Sequence, residues 1–352
     1  IGRGQSISDA VEQVPGVHLR RFGGIGGLTS IAIRGLGMNY VNVVVDNSPF
    51  LQTGVGGLDL NLLPLSHIER IEIYRGGGPI QFDSPIGGVI RIVTRIPKNE
   101  EALEAHLGVG SQLSRSGHIG ASGTLGSTKV RYHVLAHYFG TQGNFNYWND
   151  NNTPYNEDDD FETRRKQNAS DTGSAIITLQ GDGLNKSLWS LTAHGSWKQS
   201  QLPGPHLQLG INPPDANALD KSIALRGELR GAKNAAGTLK GSAQFSVAHA
   251  ERQFSSDGAL FGFDVHSIES TLTRGEIRGQ LEYTPAASHQ FRLAIGADLE
   301  RIKQQSDVER DVGIAATFSR RESRPFLGIE FPTNIRETLE IIPAIRIDTQ
   351  LS

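Results

Sequence analysis

From about residue 100 onward, apolar and polar residues alternate strictly over one stretch after another. In the stretch 189–198, for example, Trp, Leu, Ala, Gly and Trp alternate with Ser, Thr, His, Ser and Lys. A period of two is the period of a β-strand with one apolar face. Eleven stretches of this kind occur, at Leu103–Val109, His118–Leu125, Tyr132–Tyr138, Ala175–Leu179, Trp189–Lys198, Ile223–Arg230, Ala243–Val247, Glu276–Tyr283, Phe291–Glu300, Phe326–Phe331 and Leu339–Ile347. The sequence therefore predicts a meander of antiparallel strands.

The alternation fits two architectures, a membrane-spanning barrel and a soluble sandwich of two sheets. Each stretch becomes long enough to cross a bilayer if it forms a tilted strand of about 9–11 residues. Short and long connections largely alternate, as they do when tight turns lie at one end of a barrel and long loops at the other. The polar rows carry full charges, and the chain lacks a second set of apolar rows to pack against. These two features favour the barrel.

The composition excludes several classes of function. The 352 residues contain no Cys, which rules out disulfides, thiolate catalysis and Cys-ligated zinc. A net charge of −3 gives no overall basic field to hold nucleic acid. The chain has no apolar run of about 18 residues that would form a spanning helix. Because no Ser-His-Asp order or paired-carboxylate arrangement stands out either, we do not expect an enzyme.

The first 97 residues have a different pattern, with short β-rich pieces between clusters of glycine. Residues 8–14 predict one short helix, which ends at Pro15-Gly16. Four pieces predict strands, at Thr29–Arg34, Tyr40–Asp46, Ile68–Tyr74 and Gly88–Arg95. The sequence thus predicts a small α+β domain over residues 1–97, followed by strands over residues 98–352.

Five motifs in this first domain resemble the plug domain of TonB-dependent outer-membrane receptors. They are AVEQVPGV at 10–17, IAIRG at 31–35, VVVD at 43–46, DLNLLPLSHIERIEIYRG at 59–76 and IGGVIRIVTR at 86–95. Two segments depart from the family pattern: Asp46-Asn47-Ser48-Pro49 replaces Asp-Gly-Val-Pro, and Asp83 replaces a common Gly or Asn. The family barrel has about 22 strands, so eleven stretches correspond to half of one. We expect the family's TonB box, a secretory signal and the remaining strands to lie outside these residues.

The resemblance implies a mainly β protein in which a small α+β plug is followed by antiparallel transmembrane β-barrel strands. It implies a location in the outer membrane of a Gram-negative bacterium, in contact with its lipids. It also implies import of a scarce ligand, most commonly a ferric siderophore chelate, driven by a TonB–ExbB–ExbD type complex. Iron would then be cargo, and no resident cofactor is expected. The alternative function is a surface receptor of the same architecture, used for signalling or coupled to protein export.

The resemblance also implies where the plug meets the barrel and the ligand. Ion pairs with the barrel wall are expected from Arg34, Glu69, Glu72 and Arg75, with Arg95 as a further candidate. The alternative is that these charges only cap turns and sheet edges of the plug. The ligand is expected to contact plug loops that combine basic, apolar and polar residues, at Arg20, Arg21, Phe22, Met38, Asn39, Tyr40, Phe50 and Gln52. The alternative for these is an ordinary role in turns.

Two groups of residues are candidate metal ligands. The loop 146–160 is rich in oxygen donors, and a structural Ca²⁺ could use Asp150, Asp158, Asp159 and Asp160. The loop lacks the Asp-x-Asp-x-Asp-Gly order of a helical calcium loop, which favours a solvated loop instead. His133 and His137 lie on the polar face of one predicted strand, about 13 Å apart, which is too far to share a metal. The sequence therefore predicts no metal site.

Overall fold

The computed structural model describes residues 11, 14–22, 25–36, 40–50, 59, 62–75, 79–80, 82, 86–151, 153, 155–202, 216–231, 239–256, 265–286, 289–308, 314–336 and 339–351. These residues are mainly β-strand, as the sequence predicts. Short 3-10 turns lie at Leu65–His67, Ser111–Leu113, Glu157–Asp159 and Leu184–Lys186. Most of the predicted helix at 8–14 lies outside the described residues, of which Val11 is helical. Among the residues described, no helix is long and apolar enough to cross a membrane.

The first part of the chain, which we call the plug, contains two small sheets. Its strands are β1 (Val17–Phe22), β2 (Leu28–Ile33), β3 (Val41–Val45), β4 (Ser48–Pro49), β5 (Ile68–Tyr74) and β6 (Gly88–Thr94). Strands β1 and β2 form a hairpin, and the other four form a sheet in the order β4-β3-β6-β5 with β3 parallel to β6. The four predicted strands are present. The prediction missed β1, whose VHLRRF sequence does not alternate strictly, and the two-residue β4.

The plug has its own apolar core. Val11 packs with β-branched residues from β2, β3 and β6, and Phe82 lies in a smaller cluster beside it. The turn between β3 and β4 places Asp46 at a φ of 45° and Asn47 at 72°. Two consecutive residues with positive φ give the primed turn that a two-residue hairpin favours, and Asp and Asn tolerate this conformation well. The departure from the family sequence is therefore compatible with a tight turn here.

The second part of the chain forms a large antiparallel sheet, which we call the wall. Its main strands follow one another in chain order: β7 (Ala102–Gly110), β8 (Ser114–Thr124), β9 (Arg131–Thr141), β12 (Ser170–Asp182), β13 (Leu188–Gln201), β14 (Ala216–Arg230), β15 (Leu239–Ser256), β16 (Val265–Ala286), β17 (His289–Val308), β18 (Ile314–Glu330) and β21 (Ala344–Asp348). Four short strands lie between them: β10 (Asn146–Asn149), β11 (Phe161–Arg164), β19 (Thr333–Arg336) and β20 (Leu339–Ile341). The predicted meander of eleven strands is confirmed.

Two details of the wall differ from the prediction. The last predicted strand is divided, because β20 pairs with β19 whereas β21 pairs with β18. The alternation predicts that the strands near residues 252–267 and 303–320 end earlier, but residues 252–256, 265–267, 303–308 and 314–320 are also strand, since β15 to β18 are 18, 22, 20 and 17 residues long. In these extensions both faces carry polar residues, so the backbone pairing continues where the apolar alternation has stopped.

The two faces of the wall differ in residue type and in burial. Apolar side chains on the outward face are open to the surroundings, as at Ile277, 64% exposed, and Leu299, 60% exposed. Polar and charged side chains on the inward face are buried, including Thr178, Lys198, Asp220, Glu276, Arg278 and Glu330. A sandwich would bury its apolar rows against a second sheet. This pattern instead suits a wall with lipid outside and the plug inside.

Candidate functional site

The plug lies against the inward face of the wall, and this interface is the candidate functional site. Plug residues contact wall strands from β7, through Glu104, to β21, through Arg346. A single small domain can reach both of these strands only if the sheet curves around it. The contacts fall into three groups and a histidine cluster.

The first group is a buried ion pair. Asp59 of the plug pairs with the ammonium group of Lys198 on β13, and the two side chains are only 4% and 3% exposed. Asp59 also accepts a hydrogen bond of 3.4 Å from the backbone amide of Thr29. Because both charges have left water, each depends on the other for compensation. The pair therefore joins plug and wall strongly for as long as both partners stay in place.

The second group holds the β3–β4 turn of the plug. The Oδ2 atom of Asp46 lies 3.4 Å from Nη1 of Arg226 on β14. The backbone carbonyl of Asn47 accepts hydrogen bonds of 3.2 Å from Gln244 on β15 and from Arg278 on β16. Three neighbouring wall strands thus hold one two-residue turn, through side chains that all lie on the inward face.

The third group surrounds Ile80 of the plug. Its amide donates a hydrogen bond of 2.7 Å to Glu330 on β18, and its carbonyl accepts one of 2.8 Å from Arg346 on β21. The Ile80 side chain packs with Ala294 and Phe326 in a small apolar cluster. Gly328 faces Ile80 so closely that an added Cβ would lie 2.5 Å from Cγ1 of Ile80. The lack of a side chain at Gly328 therefore allows this approach.

Histidines from the plug and the wall meet at the same interface. His67 of the plug is 1% exposed, and its ring lies edge-on to that of His194, with 6.1 Å between centroids. His133 and His137 of β9, on the same inward face of the wall as His194, also act on it electrostatically. Neither ring nitrogen of His67 has a hydrogen-bond partner among the described residues. Burial, followed by the neighbouring histidines, lowers the pKa of His67 from 6.5 to about 2, so the ring is neutral at pH 7.

This neutral histidine predicts that acid weakens the plug. The unfolded plug binds a proton at His67 below pH 6.5, whereas the folded plug does not, so stability falls as the pH decreases through that value. Between pH 7 and pH 5 the expected loss is about 2 kcal/mol. The measurement is the denaturant concentration at the midpoint of plug unfolding at each pH, with unfolding detected by proteolysis. His67→Phe should remove most of this dependence, and His18→Gln, at an exposed plug histidine, should keep it. Identical pH profiles for wild type and His67→Phe would contradict the assignment.

The structure places the predicted ionic residues mainly among plug partners. Glu72 pairs with Arg70 and with Arg91 of the neighbouring strand β6, each at 2.8 Å. Glu69 lies 3.4 Å from Arg70. The guanidinium of Arg75 donates to the carbonyl of Pro15 at 3.0 Å. The described partners of Glu69, Glu72 and Arg75 thus belong to the plug.

Of the two other predicted ionic residues, Arg95 contacts the wall and Arg34 has a described contact only within the plug. Arg34 is exposed, with a φ of 51°, and its amide donates to the carbonyl of Gly16. Arg95 does reach the wall, where its guanidinium lies 3.1 Å from Glu104 on β7. The other described polar contacts with the wall come from plug residues that are not among the predicted wall contacts, at Asp46, Asn47, Asp59 and Ile80. The wall partners of these residues could have been found from the sequence, because each is a polar or charged residue on the inward face of an alternating strand.

The predicted ligand residues are described only in part. Tyr40 is 52% exposed, and Phe50 packs on the plug core. The backbone of Arg20, Arg21 and Phe22 forms the end of β1 next to the β1–β2 turn, while Met38, Asn39 and Gln52 lie outside the described residues. The role of these eight residues in ligand binding stays a prediction.

The acidic loop contains local hydrogen bonds. Asp159 accepts from Asn151 and Thr153, and these bonds lower the pKa of its carboxyl. Over the part of the chain that the structure describes, no three His, Asp or Glu side chains are arranged to hold a metal ion. Calcium binding by Asp150, Asp158, Asp159 and Asp160 therefore receives no support from the described geometry.

Comparison with known proteins gives the family of the plug and the fold of the chain. Residues 2–89 match the family described as TonB-dependent Receptor Plug Domain. The chain is 33% identical over 112 residues to the Vitamin B12 transporter BtuB of Vibrio vulnificus (strain CMCP6), an alignment that covers 32% of this chain and 18% of that protein.

Solved structures share the fold over nearly the whole chain. FpvA of P. aeruginosa, in complex with a heterologous pyoverdine and iron, superposes with a TM-score of 0.76 at 14% identity, over 98% of this chain and 49% of that one. The ferric enterobactin receptor PfeA of Pseudomonas aeruginosa gives 0.69 at 16% identity, over 98% and 55%. This chain thus spans about half the length of these receptors. Residues 2–89 thus match the plug-domain family of TonB-dependent receptors, and the chain as a whole shares the fold of these solved receptors over about half of their length.

Proposed function

We propose that this chain is part of an active transporter that imports a ferric siderophore across the outer membrane of a Gram-negative bacterium. A TonB–ExbB–ExbD type complex in the inner membrane would supply the energy and rearrange the plug. The single observation that carries this proposal is the polar character of the interface between plug and wall. The residues themselves break no bond in the ligand, so the mechanism is conformational.

The polar interface suits a plug that must be held and then moved. Its described contacts are hydrogen bonds and ion pairs, together with one small apolar cluster around Ile80. When such groups separate, water can replace each lost partner, so the net free-energy change per bond is small. A dry apolar interface of the same area would lose the full hydrophobic contribution on opening. The plug is thus fastened by many contacts that can be exchanged one at a time.

The ligand would enter from the end of the wall where the long loops lie. The β1–β2 turn of the plug reaches this end, where Gly26 lies against Phe139, Thr141 and Ser170. Arg20, Arg21 and Phe22 lead directly into this turn. A basic and aromatic segment at the mouth suits an anionic chelate with aromatic parts. FpvA is described in complex with a pyoverdine and iron, PfeA as a ferric enterobactin receptor and BtuB as a vitamin B12 transporter, so cobalamin is the competing ligand in the test.

The test is ligand-dependent growth and uptake in a strain that lacks the gene. Ferric pyoverdine, ferric enterobactin and cobalamin are supplied separately, and radiolabelled iron or cobalt is counted in the cells. We expect the restored gene to confer uptake of at least one ferric siderophore, and we expect this uptake to disappear when TonB is deleted. Absence of uptake for all three compounds, with the receptor present in the outer membrane, would favour the signalling or export role instead.

A further inference from the structure

Three basic side chains cluster on the outward face of the wall, away from the plug. Arg301 on β17 and Arg321 on β18 are direct cross-strand partners, and Lys303 follows Arg301 two residues along the same face. The register of this strand pair is continuous from Arg292 to Val308, so all three side chains point outward with Leu299. Directly opposed Cβ atoms are about 5 Å apart, and residues i and i+2 of a strand are about 7 Å apart. All three side chains are exposed.

Among the residues that the structure describes, no carboxylate forms an ion pair with this cluster. Like charges placed directly opposite each other on a sheet destabilise it. None of the three cations makes an ion pair or side-chain hydrogen bond with a residue that the structure describes. Of the outward carboxylates on β15 and β16, Glu251 contacts His249 at 3.2 Å, and Glu269 faces Gln305, one outward position beyond Lys303. An anion from outside the protein would offset the repulsion.

The height of the cluster on the wall identifies which anion is available. Outward residues of β17 are apolar from Phe291 to Leu299, and the basic residues begin at the next outward position. At the opposite end of this run, the rings of Phe291 and Phe331 lie 5.0 Å apart, as in an aromatic girdle. Eight residues span about 27 Å along the strand, or roughly 20 Å vertically after tilting, which approaches the height of the lipid-facing band.

The cluster lies at the end of the wall from which the long loops emerge. In outer-membrane barrels long loops are extracellular and short turns are periplasmic. The cations therefore lie at the headgroup level of the outer leaflet. One guanidinium group can bind two oxygens of a phosphate at once, and an ammonium group adds a compact positive charge. We propose that Arg301, Lys303 and Arg321 form a binding site for the phosphate group of an outer-leaflet lipid.

The test measures lipid binding to the intact protein purified in detergent. Diphosphoryl lipid A is the probe, and inorganic phosphate is a separate arm. We expect R301Q/R321Q to weaken binding of diphosphoryl lipid A at least tenfold. The control variant K186Q removes one charge at a short turn on the opposite end of the wall. We expect K186Q to leave binding of diphosphoryl lipid A unchanged. Inorganic phosphate at the same concentration should neither bind measurably nor compete.

A thermal measurement separates loss of the site from loss of the fold. Without lipid, R301Q/R321Q should melt at the same temperature as wild type or higher, because a like-charge pair has been removed. When diphosphoryl lipid A is added, the melting temperature of the wild type should rise more than that of the variant. The wild type should then melt at the higher temperature of the two. Equal binding by wild type and R301Q/R321Q, equal thermal gains, or competition by inorganic phosphate would overturn the proposal.

Discussion

Oxidation of a cysteine pair at positions 80 and 328 is expected to abolish ligand uptake by this protein. A Cβ built on Gly328 lies 3.7 Å from Cβ of Ile80, which is within the range of 3.5–4.5 Å for disulfide-bonded cysteines. Ile80→Cys also removes the Cγ atoms that would otherwise crowd the new side chain at position 328. Since position 80 is in the plug and position 328 is in β18, the disulfide would fix the plug to the wall.

The chain suits this experiment because its 352 residues contain no cysteine that could form a competing bond. Uptake of whichever test compound supports growth should fall to background in the oxidised double variant and return after reduction. The matched control is T178C/T192C, a pair whose hydroxyls lie 3.3 Å apart across β12 and β13, entirely within the wall. Its oxidation should leave uptake intact. Full uptake by the oxidised 80–328 variant would show that the plug need not leave this part of the wall.

Replacement of Lys198 by Met is expected to destabilise the docked plug by about 3–5 kcal/mol. The substitution leaves the carboxyl group of Asp59, whose side chain is 4% exposed, without the ammonium group that compensates it. Adding Asp59→Asn should recover most of this loss, because the neutral amide still accepts the hydrogen bond from Thr29. The measurement is the urea concentration at which the plug becomes sensitive to protease while the barrel stays resistant.

Lys221→Met provides the control for this experiment. Lys221 is on the adjacent strand β14 but is exposed, so its replacement should change the midpoint little. If Lys198→Met and the double variant with Asp59→Asn lost the same stability, the buried charge would not be the cause. The cost would then come from packing of the lysine stem.

The strands of the wall could be predicted because their cause is local. In each stretch one face meets apolar surroundings and the other a polar interior, so residues i and i+2 share a type, and Trp189 to Lys198 can be recognised without knowledge of other strands. The same reasoning failed beyond the apolar band. Around Thr271 and Lys303 the outward face has become polar, so the apolar outward row no longer marks the strands, although their backbone pairing continues across the sheet.

The sequence by itself determined the class of the protein: a small plug with recognisable motifs, eleven alternating strands, and which face of each strand is apolar. These properties follow from short-range spacing along the chain. The tertiary structure alone decided which charges meet. Asp59 and Lys198 are 139 positions apart, and Ile80 and Arg346 are 266 apart. The sequence around a charged residue on a polar face does not indicate its partner, because the partner depends on how the plug packs inside the curved wall.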